Sequence, residues 1–182
     1  MIILSILFFV TALIYSSVGF GGGSTYLAIL LIWGVPYTIF PVIALVCNII
    51  VVSGNSINFI RSKNININLL FPYLIGSIPF AFIGGSITIE KSLFEILLFC
   101  VLLVAGIFLL IESKSFNKEQ IKINKIPRLI SISFGSIIGF MSGLVGIGGG
   151  IFLSPLLFLM KAGYPRHITS SASLFILINS IF

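Results

Sequence analysis

Apolar positions in this chain run together in long blocks. Five such blocks occupy residues 1–18, 39–60, 69–88, 93–111 and 129–146, and a sixth begins near Ile168 and runs to Phe182. About 20 apolar residues in helical form cross a bilayer core about 30 Å thick, so these blocks predict transmembrane helices. The sixth, about 22 Å long as a helix, falls short of a full crossing, and the chain reads as truncated at its C-terminal end. Two shorter apolar pieces, 24–33 and 151–160, each follow a glycine cluster: Gly19-Phe20-Gly21-Gly22-Gly23 and Gly146-Ile147-Gly148-Gly149-Gly150. Each ends at a Gly-x-Pro triplet, Gly34-Val35-Pro36 and Gly163-Tyr164-Pro165. The order of apolar helix, glycine cluster, short helix, Gly-x-Pro and apolar helix therefore occurs twice, 127 positions apart (Gly21 against Gly148). Beyond the triplets, Asn48 in the first copy answers Asn179 in the second. This is an internal duplication of the kind that builds transporters.

Positive charge orients the copies. If each short helix returns to the face from which its partner started, nine of the ten Lys and Arg residues share one face and only Lys91 lies on the other. If each broken segment crosses once, Lys161 and Arg166 change sides and the split falls to seven against three. Basic residues collect on the cytoplasmic side, so the first arrangement is favoured, with the N-terminus outside the cytoplasm. The expected fold is an all-α polytopic membrane protein of two inverted repeats, each a glycine-broken helix hairpin plus transmembrane helices. Residues 1–111 form the first repeat, 112–128 a basic polar linker, and 129–182 an incomplete second repeat. The linker reads as a solvated loop that sets topology, ahead of a lipid-headgroup site.

Composition narrows the chemistry. The chain of 182 residues is 58% hydrophobic and 8% charged, against about 25% charged in ordinary soluble domains. Mean hydropathy is +1.26. The four acids are glutamates (Glu90, Glu95, Glu112, Glu119), and there is no aspartate and one histidine, His167. Aspartate dyads, Walker-type magnesium sites and His-rich metal centres are excluded, so neither an enzyme, a metal nor a cofactor is expected. The net charge of +6 comes from residues between spans, which reports topology and not nucleic-acid binding. No Lys or Arg precedes Arg61, so residues 1–18 lack the charged start of a signal peptide. Cys47 and Cys100 lie inside apolar runs and read as packed or lipid-facing thiols.

Consecutive glycines inside a membrane segment free backbone N–H and C=O groups, which are tolerated only inside protein or beside a water-filled cavity. A helix starting just after such a break aims its N–H groups and positive dipole end at that cavity, a ready anion site. One half of the expected substrate site is Gly21, Gly22, Gly23, Ser24 and Thr25, with two hydroxyls; the other is Gly148, Gly149 and Gly150, followed by Ile151 and Phe152. Asn48, Asn55 and Asn179 are costly in lipid and should face the bundle interior, where substrate contact and interhelical hydrogen bonding explain Asn48 and Asn179 equally. Gly135, Gly139 and Gly143, four apart, read as a close-packing seam. Glu95 reads as an interfacial glutamate ahead of a proton-coupling group, and Arg166 and His167 as topology signals ahead of an anion vestibule. Pro41, Pro72 and Pro79 are expected to kink their helices.

The stretch from Gly139 through Gly143, Gly146, Gly148-Gly149-Gly150 and Pro155, continued by Thr169-Ser-Ser-Ala-Ser-Leu-Phe and Asn179-Ser180, resembles the signature of the TauE/SafE sulfite exporter family. The first copy, Ser17-Val-Gly19-Phe-Gly21-Gly22-Gly23-Ser24, resembles its N-terminal counterpart, although Ala28 stands where the second copy has Pro155. The resemblance implies a multi-pass permease of the bacterial cytoplasmic membrane, carrying sulfite, organosulfonates or related small anions. It also implies further spans after the second motif. The reading is a secondary transporter for a small anion, with the lipid bilayer as its surroundings and no nucleic-acid partner. The alternative is a non-transporting structural or assembly subunit of a membrane complex. Oligomeric state is left open.

Overall fold

The computed structural model describes residues 2–115, 123–124 and 126–182. Its described part is helical, with no strand: α1 (Ile2–Val18), α2 (Gly23–Ile32), α3 (Phe40–Arg61) after a 3₁₀ turn (Tyr37–Ile39), α4 (Ile67–Gly85), α5 (Lys91–Ser115), α6 (Arg128–Val145), α7 (Gly150–Leu159) and α8 (Pro165–Ile181). Every apolar block is a helix. Tyr37–Arg61, Ile67–Gly85 and Arg128–Val145 are long and apolar enough to cross a membrane. Residues 1–18, also expected to span, form 17 residues of helix, about 25 Å.

Local chemistry sets the boundaries. Asn66 caps α4 by accepting the Leu69 N–H at 3.2 Å. Pro165 opens α8 at its first turn, three residues earlier than the apolar block. Pro41 likewise lies in the first turn of α3, where its missing N–H costs nothing, so it starts a helix instead of bending one. Pro72 and Pro79 are inside α4. The short helices α2 and α7 each begin after a left-handed glycine, Gly22 at φ 83° and Gly149 at φ 73°, which turns the chain back with no Cβ penalty.

Two hairpins enter the bundle from opposite ends. The rings of Tyr37 and Phe40, beyond α2, pack on Phe94 near Lys91, and Phe8 of α1 stacks on Tyr26 of the antiparallel α2 at 4.8 Å. Hairpin α1–α2 therefore opens toward the Lys91 end. Hairpin α6–α7 opens at the other: the Asn124 N–H donates to the Lys161 carbonyl at 3.0 Å, and Ser170 Oγ to the Asn64 carbonyl at 2.7 Å. Arg61, Lys63, Arg128, Lys161 and Arg166 thus share one end, and Lys91 is at the opposite one. Lys118, Lys122 and Lys125 lie outside the described residues, as does the side chain of Lys114.

The bundle buries polar side chains within a hydrophobic core and is apolar outside. Asn48, Ser56, Ser77, Ser170, Ser171 and Ser173 are buried, whereas Ile2, Ile50, Phe99 and Leu129 are more than half exposed. Such a surface suits acyl chains, against which hydrophobic side chains need no protein cover. The most extensive helix contact, α4 on α6, is the glycine seam expected from sequence. A Cβ at Gly135, Gly139 or Gly143 would strike the carbonyl of Tyr73, Ser77 or Ala81 on α4; one at Gly76 or Gly84 would strike that of Ile132 or Phe140 on α6. The two backbones touch through glycines on both sides.

Candidate functional site

Both glycine breaks converge on Asn48. This residue lies on α3, the helix after the first break, and is fully buried. Its Nδ2 donates to the carbonyl of Ile147, inside the second break, at 2.9 Å. The first break packs on the other side of the same amide: a Cβ at Gly21 would overlap Oδ1, and one at Gly23 would come within 2.6 Å of Nδ2. One asparagine side chain thus ties together two hairpins entering from opposite ends. Glycine at both positions is a steric requirement of that approach.

Beside Asn48 is a cavity of about 90 Å³. Gly21, Gly22, Gly23 and Ser24 form one wall with Tyr15 and Phe20, and Ile147, Ile151 and Ile176 form the other. Pockets for drug-sized ligands run to about 300–1,000 Å³, so this one admits only a small solute. The Gly22 carbonyl accepts the Thr25 and Tyr26 N–H groups, both at 3.0 Å, and no side chain caps α2. The Gly23 and Ser24 N–H groups come ahead of these bonds and have no backbone partner. At α7 the corresponding carbonyl, Gly149, accepts from Phe152 and Leu153, again without a side-chain cap. Among the described residues no charged side chain lines the cavity, and none of them is a hydrogen-bond partner of Asn48 Oδ1.

The remaining expected site residues take other positions. The Thr25 hydroxyl is 2.7 Å from the Tyr15 hydroxyl and shares a hydrogen bond with it. Gly148 lies at the rim, where a Cβ would meet Asn48 Nδ2 at 3.1 Å and Ser180 Oγ at 2.9 Å. Gly149 instead makes room for Phe175, Ile138 and Ser142, and Gly150 for Ile176 and Ala172. Asn179 faces α4: it accepts a hydrogen bond from Ser77 Oγ and donates Nδ2 to the Phe175 carbonyl at 2.9 Å. It works as an interhelical clamp, so Ser77→Ala, which leaves a buried acceptor unpaired, is expected to cost about 1–3 kcal/mol. Thermal unfolding in detergent checks this, and an unchanged midpoint would remove the clamp.

A second, open cavity of about 420 Å³ adjoins the first break at Gly19, with Ser16, Asn55, Asn58, Arg166 and Thr169 in its wall. Asn55 Nδ2 is buried there without a partner. Arg166 thus lines an open space at the basic end, next to the first break. His167 packs edge-on against Tyr164, and Glu95 pairs with Lys91 at 3.7 Å on an exposed helix start, away from both cavities. Among the described residues no group of three or more His, Cys, Asp or Glu could hold a metal. Sequence reasoning missed Tyr15, Ser180 and the isoleucine wall. Tyr15, four residues before Gly19 in a mainly apolar helix, was a signal available in the sequence.

The sequence has relatives among known proteins. A probable membrane transporter protein of Sinorhizobium fredii is 31% identical over 179 residues, covering 97% of this chain and 72% of its own length. A probable membrane transporter protein of Methanocaldococcus jannaschii is 32% identical, covering 93% of this chain and 66% of its own length. One from Bacillus subtilis is 22% identical over 97% of this chain and 73% of its own. The chain thus spans about two thirds to three quarters of the length of these relatives. No solved structure matches it. The sequence model described as sulfite exporter TauE/SafE matches residues 4–182, so this multi-pass helical membrane protein belongs to the TauE/SafE family of membrane transporters.

Proposed function

We propose that the chain carries a small anion, of the sulfite or organosulfonate class, through the cavity between its two glycine breaks. The observation that carries this reading is the meeting of two uncapped half-helices, entering from opposite ends, at one small cavity beside Asn48. Helix N-termini hold anions through free N–H groups and the positive end of the dipole, without a basic side chain. Gly21, Gly22, Gly23 and Ser24 would make the anion contacts, with Thr25 held by Tyr15 behind them, and Gly148, Gly149 and Gly150 shaping the opposite break. Residues 1–111 and 129–182 would be the two units that rock against each other, joined by 112–128. Asn48 would be the contact made and broken between them. The basic end would face the cytoplasm of a bacterial cell, leaving the N-terminus outside. The chain has no phosphate-binding Gly-x-x-x-x-Gly-Lys motif, so an ion or substrate gradient would drive the movement.

Uptake of labelled sulfite into proteoliposomes tests the reading, with taurine, sulfoacetate and sulfate as competitors. Saturable uptake above that of empty vesicles is expected. Uptake equal to empty vesicles for each of these anions, when labelled in turn, would shift the assignment to a structural subunit.

A further inference from the structure

Resting on that reading, we infer that the cavity selects an anion of single charge that carries its own hydrogen-bond donor, a protonated oxyanion such as hydrogen sulfite, over the fully ionised form. Two observations converge on this. The first is an orphaned acceptor. Asn48 is fully buried and its Nδ2 is committed to the Ile147 carbonyl, which fixes the amide with Oδ1 toward the glycine break. That oxygen has no protein partner, and Asn48 lines the cavity. A buried acceptor is satisfied by a donor, and a fully ionised oxyanion has only acceptors to offer. An ionised oxygen placed against Asn48 Oδ1 is repelled; a protonated one donates to it.

The second is the charge the site can match. Among the described residues no Lys, Arg or His lines this cavity, so positive potential comes from the helix ends. Each helix N-terminus is equivalent to about half an elementary charge; α2 begins at this cavity through Gly23, and the first turn of α7 reaches it through Ile151. Together they balance about one negative charge. A second charge would be buried uncompensated among Ile147, Ile151 and Ile176, where low polarity makes it costly. Backbone donor groups and a lone acceptor at the same break describe a ligand that carries both anionic oxygens and a proton.

Calorimetric binding of sulfite to the purified full chain in detergent tests this across the second ionisation of sulfite. The expected result is an apparent Kd, in total sulfite, that rises about tenfold per pH unit above that ionisation, since affinity scales with the competent fraction. Expressed in hydrogen sulfite alone, Kd stays constant. Methanesulfonate, a monoanion of similar shape without a donor, should bind at least about tenfold more weakly, and sulfate more weakly still. A Kd that follows the dianion, a Kd unchanged with pH, or methanesulfonate binding as tightly as hydrogen sulfite overturns the inference while leaving anion binding intact. Failure of every probe at every pH overturns the anion reading as well. In Asn48→Leu, which keeps the volume and removes the acceptor, the preference for hydrogen sulfite over methanesulfonate should fall toward one, and its persistence would also overturn the assignment. The wild-type pH series stands on its own if that variant does not fold.

Discussion

Gly21→Val is expected to lower anion transport by at least about a hundredfold while moving the unfolding midpoint by about 12 °C at most. The reasoning begins at the missing side chain. A Cβ at Gly21 would overlap the Asn48 amide, 2.8 Å from Cγ, and press on Val52 Cγ2 at 2.9 Å. Asn48 must then rotate, which releases the Ile147 carbonyl that joins the two breaks. The valine also fills part of a cavity of about 90 Å³, removing room for a small solute. Gly21 sits between α1 and α2 and not at a positive φ, so the backbone accepts a side chain there. The stability cost is the loss of one buried hydrogen bond, about 1–3 kcal/mol. Transport within threefold of wild type in proteoliposomes would mean that the Asn48 cavity is not on the anion's route.

Gly139→Leu should produce the opposite profile, a protein that fails before its transport can be measured. Here an added Cβ would strike the Ser77 carbonyl, and would also sit 2.7 Å from the Ser77 Cα and Oγ. The carbonyl and Cα are backbone atoms of a packed helix and cannot turn aside as a side chain can. Separating α4 from α6 enough to admit leucine also opens the contacts at Gly135 and Gly143, because the three lie on one line of the seam. Overpacking typically costs about 1–3 kcal/mol where side chains can adjust; against backbone at several levels at least about 3 kcal/mol is expected. At about 2–4 °C per kcal/mol for a chain of this size, the midpoint in detergent should fall by about 6–12 °C or more. Gly106→Leu is the control, since nothing lies within 4 Å of the Cβ position on the outer face of α5, and its midpoint should hold within about 2 °C. Equal losses in Gly139→Leu and Gly106→Leu would show that the seam does not govern the effect, since helix propensity alone favours leucine at both positions.

These glycines look alike in the sequence. Gly139 could be assigned to packing because its partners, Gly135 and Gly143, recur at four-residue spacing, which puts all three on one helix face. The clusters carried a different local message: consecutive glycines break a helix wherever they occur, and a broken helix in lipid must be enclosed. What spacing could not reveal is the direction each glycine faces. Gly21 and Gly23 face Asn48, whereas Gly149 and Gly150 face Phe175 and Ile176. The matched asparagines diverge for the same reason. Asn48 finds a free carbonyl in the opposing break, while α8 packs on α4 and Asn179 meets Ser77.

The sequence by itself determined what depends on neighbours along the chain. Runs of apolar residues set the helices, and consecutive glycines set the breaks. The duplication of that order predicted two hairpins, and the placement of Lys and Arg marked one end of the bundle and favoured opposite senses for them. Tertiary structure alone decided the cavity, its isoleucine wall, the Tyr15–Thr25 pair and the part played by Asn48. Asn48 and Ile147 are 99 residues apart, and their hydrogen bond exists only because α3 passes between two breaks that enter from opposite ends. Chain periodicity gives the face on which a side chain lies; only packing supplies the neighbour it meets there.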